Sequence, residues 1–71
     1  MKYSILIKDI REKLLLTQTE LAEELDVSFA SVNRWENGRT EPTIKAKRKI
    51  RELCKKNNIE MGEIHKWINK N

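Results

Sequence analysis

The chain has 71 residues, which suffice for one small domain with a hydrophobic core but leave no room for a second functional domain. Its 15 Lys and Arg residues outnumber its 11 Asp and Glu residues, and the net charge of +4 favours a polyanionic partner over a neutral one. The single cysteine excludes an intramolecular disulfide, and the lone histidine, His65, has no nearby ligands with which to form a metal site.

The sequence also argues against a membrane protein and against an enzyme. No apolar stretch approaches the roughly 20 residues that cross a bilayer, and charges follow the N-terminus too soon for a secretory signal. There is no Gly-rich phosphate-binding loop, and acidic residues alternate with basic ones as on solvated helix faces. We expect a cytoplasmic protein without a cofactor, a membrane partner or a small-molecule substrate.

A first helix is predicted from about Ser4 to Leu15, because apolar residues recur there at close to helical spacing. We expect it to pack over the segment that follows. The residues that carry this pattern are Ile5, Ile7, Ile10, Leu14 and Leu16.

The segment 18–37, QTELAEELDVSFASVNRWEN, predicts two short helices joined by a tight turn. Thr17 and Glu20 have the spacing of a capping box, which sets the start of a helix over 18–25. Asp26 tolerates the left-handed backbone of a turn. Ser28 can cap the next helix, expected over 29–37 and ended by Asn37-Gly38.

Six apolar residues of this segment fall on one side of the two helices, so we expect them to be buried. Ala22 is small where the helices would cross, which lets their backbones approach closely. Trp35 is interpreted as a packing residue rather than a base-stacking one. The six residues are Leu21, Ala22, Leu25, Val27, Val32 and Trp35.

Downstream, residues 39–42 predict a turn, and Thr43 can cap a fourth helix. Ile44, Ile50, Leu53 and Cys54 are its predicted inward residues. Its basic run, Lys45 to Lys56, favours a polyanionic partner such as a nucleic acid. The alternative is that most of the run is only a solvated helix face, with its first residues alone reaching DNA. Asn57-Asn58 breaks the pattern. A last short helix, weakened by Gly62, is predicted from the apolar residues Ile59, Ile64, Trp67 and Ile68.

The sequence contains no predicted strand, linker or repeat. The fold class predicted is therefore all-α, a single domain over residues 1–71 built as a compact bundle of about five short helices.

The segment 18–37 resembles the helix-turn-helix of the phage repressor and Cro family, also called XRE-like regulators. The resemblance covers roughly residues 5 to 68 and departs from the family at two places: Asp26 stands where the turn commonly has glycine, and Leu15 where glycine often ends the first helix. Both departures predict locally altered turns. The matching residues are Gln18, Leu21, Ala22, the apolar Val27, Trp35, Glu36, Asn37 and Gly38, with Ile7, Ile10, Arg11 and Pro42 outside the motif.

The resemblance implies that the helix over 29–37 enters the major groove of DNA while the preceding helix crosses the phosphate backbone. It places base contacts at Phe29, Ala30, Asn33 and Arg34, with a structural packing role as the alternative for Phe29. It also implies a structural ion pair between Arg11 and Glu36. Phosphate contacts are expected from Gln18, Ser28, Asn37, Arg39, Thr40, Thr43 and Lys45.

The leading hypothesis is a small bacterial or phage-type transcriptional regulator, a repressor that binds double-stranded DNA sequence-specifically. Any homodimer would be weak, DNA-assisted, or built from the last helix through Trp67 and Ile68. Two alternatives stay open: an antitoxin-like or adaptor protein-interaction module, and the DNA-targeting domain of a larger DNA-modifying protein.

Overall fold

The computed structural model describes residues 2–59, and within them the chain forms four α-helices and no strand: α1 (Lys2–Lys13), α2 (Gln18–Leu25), α3 (Phe29–Glu36) and α4 (Ile44–Lys56). The all-α prediction is confirmed, although the described residues hold four helices rather than about five. The predicted last helix beyond Ile59, with Gly62, His65, Trp67 and Ile68, lies outside the described residues. None of α1 to α4 is long and apolar enough to cross a membrane.

One hydrophobic core joins the four helices. α1 packs on α3, and α2 contacts both α3 and α4. Of the six motif residues predicted to be inward, five are buried and Val27 is partly buried against the core. Trp35 is only 5% exposed, as its packing role requires. The buried side chains that form this core are Tyr3, Leu6, Ile7, Ile10, Leu21, Ala22, Leu25, Val32, Trp35, Ala46, Ile50, Leu53 and Cys54.

α1 lies two residues earlier than the periodicity predicted. Tyr3 is buried near the start of the helix, and the Lys47 ammonium nitrogen lies 4.7 Å from the centre of its ring. This cation–π contact joins the N-terminal end of α1 to α4. Ile5 is 66% exposed, because on a helix it lies almost opposite the buried Ile7.

The prediction that Ile44 points inward is wrong, since its side chain is 63% exposed. The buried side of α4 consists of Ala46, Ile50, Leu53 and Cys54. A helix turns once in about 3.6 residues, so Ala46 lies roughly one turn before Ile50 and shares its face. Ile44 lies well short of two turns before Ile50 and therefore points away from the core.

Both residues that stand in place of a family glycine have a left-handed backbone. Asp26 has φ 58° and ψ 47°, and its amide donates to the carbonyls of Ala22 and Glu23. Leu15 also has φ 58°, and its side chain is 89% exposed. Leu15 and Asp26 thus adopt the backbone conformation that glycine would adopt most easily.

Replacing Leu15 by glycine is expected to raise the free energy of unfolding by about 0.5–1 kcal/mol, because relief of left-handed strain exceeds the entropy that glycine adds to the unfolded chain. Urea denaturation measures the change. Asp26→Gly is the matched control, since aspartate tolerates the same φ and here accepts a hydrogen bond from Lys49. A lower stability for Leu15→Gly would contradict the argument.

Candidate nucleic-acid interface

Side chains at the helix starts fix the positions of α2 and α3. The Thr17 hydroxyl accepts from the Glu20 amide at 3.0 Å, and the Glu20 carboxylate accepts from the Thr17 amide at 2.9 Å, which confirms the capping box. Ser28 caps α3 by accepting from the Ser31 amide at 3.1 Å. Both helices therefore begin where the sequence predicts.

The turn between them is held by the backbone and the core. The Val27 amide donates to the Ala22 carbonyl at 2.9 Å, just after the left-handed Asp26. The Ala22 side chain is buried, and α2 and α3 are in contact, as a small side chain between two helices allows. Lys49 of α4 lies 3.3 Å from the Asp26 carboxylate, which links the turn to the fourth helix.

The outer side of α3 is open to solvent. Val32 and Trp35 face the core, whereas Ala30 and Arg34 are exposed and Phe29 is 50% exposed. Asn33, the fourth residue predicted to contact bases, is only half-buried because it lies beside α2. α3 thus presents one apolar and one cationic side chain with a short alanine between them.

Arg11 and Glu36 form a two-pronged ion pair between α1 and α3. Arg11 donates to the two carboxylate oxygens at 2.8 and 3.0 Å, from Nε and Nη2. Its Nη1 also donates to the Leu16 carbonyl at 3.1 Å, which fixes the α1–α2 connection. The Glu36 side chain is 5% exposed and the Arg11 side chain 18%.

The environment of the pair keeps both groups charged. Burial by itself would raise the pKa of Glu36, but hydrogen bonds from Arg11 and Gln18, with the charges of Arg11 and Lys8, hold that pKa below its usual value. The hydrogen bond to Glu36 raises the pKa of Arg11 despite the opposing effect of burial. Glu36 is therefore a carboxylate, an acceptor of hydrogen bonds only, near neutral pH.

Hydrogen bonds extend this pair to the surface of α3. Gln18 Nε2 donates to Glu36 Oε1 at 2.9 Å, and Gln18 Oε1 accepts from Asn33 Nδ2 at 3.2 Å. Asn33 Oδ1 in turn accepts from Asn37 Nδ2 at 3.1 Å. We name these five residues the polar chain: Arg11, Glu36, Gln18, Asn33 and Asn37.

The contact between Gln18 and Asn33 was not predicted from the sequence, from which Gln18 was expected to contact phosphate and Asn33 a base. The two residues are 15 positions apart, and no local spacing indicates that their amides meet. The contact between Lys49 and Asp26 was missed for the same reason, since 23 positions separate them. The packing of helices brings each pair together.

The other residues predicted to contact phosphate are exposed, and they flank α3. Ser28 and Thr43 also serve as helix caps, the Thr43 hydroxyl accepting from the Ala46 amide at 3.1 Å. Gly38, with φ 74°, turns the chain out of α3. The exposed residues are Ser28, Arg39, Thr40, Thr43 and Lys45.

The basic run of α4 divides between internal contacts and solvent. Lys47 lies over Tyr3 and 4.0 Å from the Glu41 carboxylate, and Lys49 contacts Asp26. Lys45 and Arg48 are exposed, as are Lys55 and Lys56 at the other end of the helix. Lys45 is thus an exposed cation at the start of α4, next to the connection between α3 and α4.

Cys54 lies in the core and its burial raises the pKa of the thiol to about 11, so the sulfur stays protonated near neutral pH. In residues 2–59 no three His, Cys, Asp or Glu side chains are grouped as metal ligands would be. Among these residues, the hydrogen-bonded polar chain instead joins α1, the start of α2 and the C-terminal half of α3.

Comparison with known proteins identifies the same motif. A family model described as helix-turn-helix matches residues 7–64, which is most of the chain. No curated protein and no solved structure matches. A turn between two capped helices, an exposed outer side on α3 and this family match lead to one assignment. The chain belongs to the helix-turn-helix family of Cro and repressor-like regulators, and it carries a DNA-binding helix-turn-helix domain.

Proposed function

We propose that this protein binds double-stranded DNA sequence-specifically, with α3 in the major groove, as a small bacterial or phage-type transcriptional repressor in the cytoplasm. The observation that carries the proposal is the division of α3 into two sides. Val32 and Trp35 are buried, while Phe29 and Arg34 project outward. In this family architecture the second helix of the motif meets base edges in the groove.

The outward side chains suit different base edges. The Arg34 guanidinium can donate to guanine O6 and N7, and the Asn33 amide can pair with adenine N6 and N7. Phe29 and Ala30 would contact a thymine methyl. The preferred site should therefore combine a G·C pair with A·T pairs contacted partly through methyl groups.

Phosphate contacts would come from residues around α3 and would set the register without selecting sequence. Arg39, Thr40 and Lys45 support this role because they are exposed between the end of α3 and the start of α4. Ser28, Thr43, Gln18 and Asn37 are the remaining candidates, located at helix ends.

The protein is proposed to bind as a weak or DNA-assisted homodimer. Two copies would occupy the two half-sites of a palindrome, and the centres of these half-sites would lie about 10–10.5 base pairs apart. Occupation of such an operator in a promoter would repress transcription.

Selection of bound duplexes from a random pool tests the proposal, because it measures binding, half-site spacing and base preference together. A consensus with two related half-sites is the expected result. Enrichment without a consensus would contradict sequence-specific binding and would favour a protein-interaction module.

The salt dependence of binding tests the phosphate contacts. For a selected duplex, Lys45→Ala should reduce the slope of log K against log [salt] by about 0.9, because one released counterion is lost. Lys55→Ala is the matched control, since Lys55 is also exposed but lies at the opposite end of α4. Equal slopes for the two variants would show that Lys45 does not contact a phosphate.

A further inference from the structure

The polar chain begins with two groups whose hydrogen-bonding roles are fixed. The Arg11 guanidinium only donates, and the ionised carboxylate of Glu36 only accepts. Neither group can reverse its role by rotation. Any residue that hydrogen-bonds to Glu36 must therefore present a donor to it.

This requirement determines how the Gln18 amide faces. Its NH2 group must point at Glu36, where Nε2 lies 2.9 Å from Oε1. Its carbonyl oxygen is then left to face Asn33. Rotating the amide by 180° would place two acceptors against each other, losing a charge-assisted bond and adding repulsion.

The same requirement passes to Asn33. Because Gln18 offers it an acceptor, Asn33 must turn its NH2 group towards α2, with Nδ2 lying 3.2 Å from Gln18 Oε1. Its oxygen then faces Asn37, which donates to it at 3.1 Å. A carboxamide has two donor hydrogens and two acceptor lone pairs, so Asn33 retains one of each.

We propose that the Arg11–Glu36 ion pair acts as a positioning element for base selection: through Gln18 it fixes the orientation of the Asn33 amide, and Asn33 thereby selects adenine. The inference rests on the proposed function, since it requires α3 in the major groove.

Adenine is the base whose edge complements the one donor hydrogen and the one acceptor lone pair that the Asn33 amide has left. In the major groove adenine presents an acceptor, N7, beside a donor, the N6 amino group, whereas guanine presents two acceptors there. Cytosine presents a donor and thymine an acceptor. An amide held in one orientation keeps its donor opposite adenine N7 and its acceptor opposite the N6 amino group. An amide that rotates freely also presents the reversed arrangement, so it distinguishes adenine less well from the other bases.

Gln18→Met tests the inference, because methionine keeps the length of the side chain and cannot transmit a hydrogen bond. The wild-type protein should prefer its adenine by about 5- to 150-fold over other bases at the position that Asn33→Ala identifies. In Gln18→Met this preference should fall towards equal binding of the four base pairs. The preference at the position that depends on Arg34 should persist.

Three further variants separate positioning from a phosphate contact. Thr19→Ala, an exposed change beside Gln18, should keep the wild-type preferences. Gln18→Met with Asn33→Ala should select no differently at the adenine than Asn33→Ala alone. Glu36→Gln, if circular dichroism shows it folded, should lose the same preference as Gln18→Met. A Gln18→Met protein that binds all duplexes more weakly by one factor would overturn the inference, because a lost phosphate contact acts uniformly.

NMR of the free protein tests the orientation without DNA. The side-chain amide protons of Asn33 should shift and exchange faster with solvent in Gln18→Met than in the wild type. Unchanged Asn33 signals beside a clear DNA consensus would overturn this inference alone. Changed signals without any consensus would overturn the proposed function, and base selection by Asn33 with it.

Discussion

Replacement of Glu36 by alanine is expected to lower the free energy of unfolding by about 2–3 kcal/mol, because it leaves the partly buried Arg11 without its carboxylate. The change also removes the acceptor of the Gln18 amide. In a chain of this length such a loss is a large fraction of the total stability. Urea denaturation of the wild type and the variant at neutral pH measures it.

Glu23→Ala is the matched control, since Glu23 is an exposed glutamate on α2 and should change stability by less than about 0.5 kcal/mol. An equal effect of the two substitutions would show that the ion pair contributes nothing beyond a surface charge.

The pH dependence of the stability difference between the wild type and Glu36→Ala tests whether the charge of the Glu36 carboxylate is its cause. The pKa of Glu36 is lower in the folded chain than its ordinary value of 4.5, so its ionisation stabilises the fold above that pH. This contribution is lost as the pH falls through the lower pKa of the folded state. The stability difference between the wild type and Glu36→Ala should therefore shrink on acidification. A difference that stays constant would contradict the charge-based argument.

Arg34→Ala is expected to weaken binding to the selected duplex by about 1–3 kcal/mol, because it removes a two-pronged contact to guanine. The preference for G·C at one position should relax, while preferences elsewhere in the site persist. Repeating the duplex selection with the variant measures both effects.

Arg48→Ala controls for the loss of one positive charge, since Arg48 is exposed on α4 and is not proposed to contact DNA bases. It should leave every base preference unchanged. If Arg34→Ala weakened all duplexes equally and altered no preference, Arg34 would contact phosphate rather than a base.

Local chemistry made much of the fold predictable. The caps of α2, α3 and α4 were predicted at Thr17, Ser28 and Thr43, and each hydroxyl accepts from an amide three residues ahead. Such contacts depend on a few neighbouring residues, so the sequence contains all that they require. The left-handed turn at Asp26 was predictable for the same reason.

The buried faces of α1 and α4 were less predictable. Periodicity shows that apolar residues share a side, but it does not show where the neighbouring helix ends. Ile44 was therefore predicted inward, and the buried Tyr3, Leu6 and Ala46 were not predicted. Their positions depend on how α1 and α4 pack around the motif.

The amino-acid sequence was sufficient to predict the all-α class, the two capped helices of the motif and, through the family resemblance, the outward side of α3. The orientations of the Gln18 and Asn33 amides could be read only from the packed helices, because the hydrogen bonds that link Gln18 to Glu36 and to Asn33 span 18 and 15 positions. Helix starts follow from hydrogen bonds within one turn of chain. The orientation of an amide follows from the donors and acceptors around it, and the packing of α1, α2 and α3 brings those together.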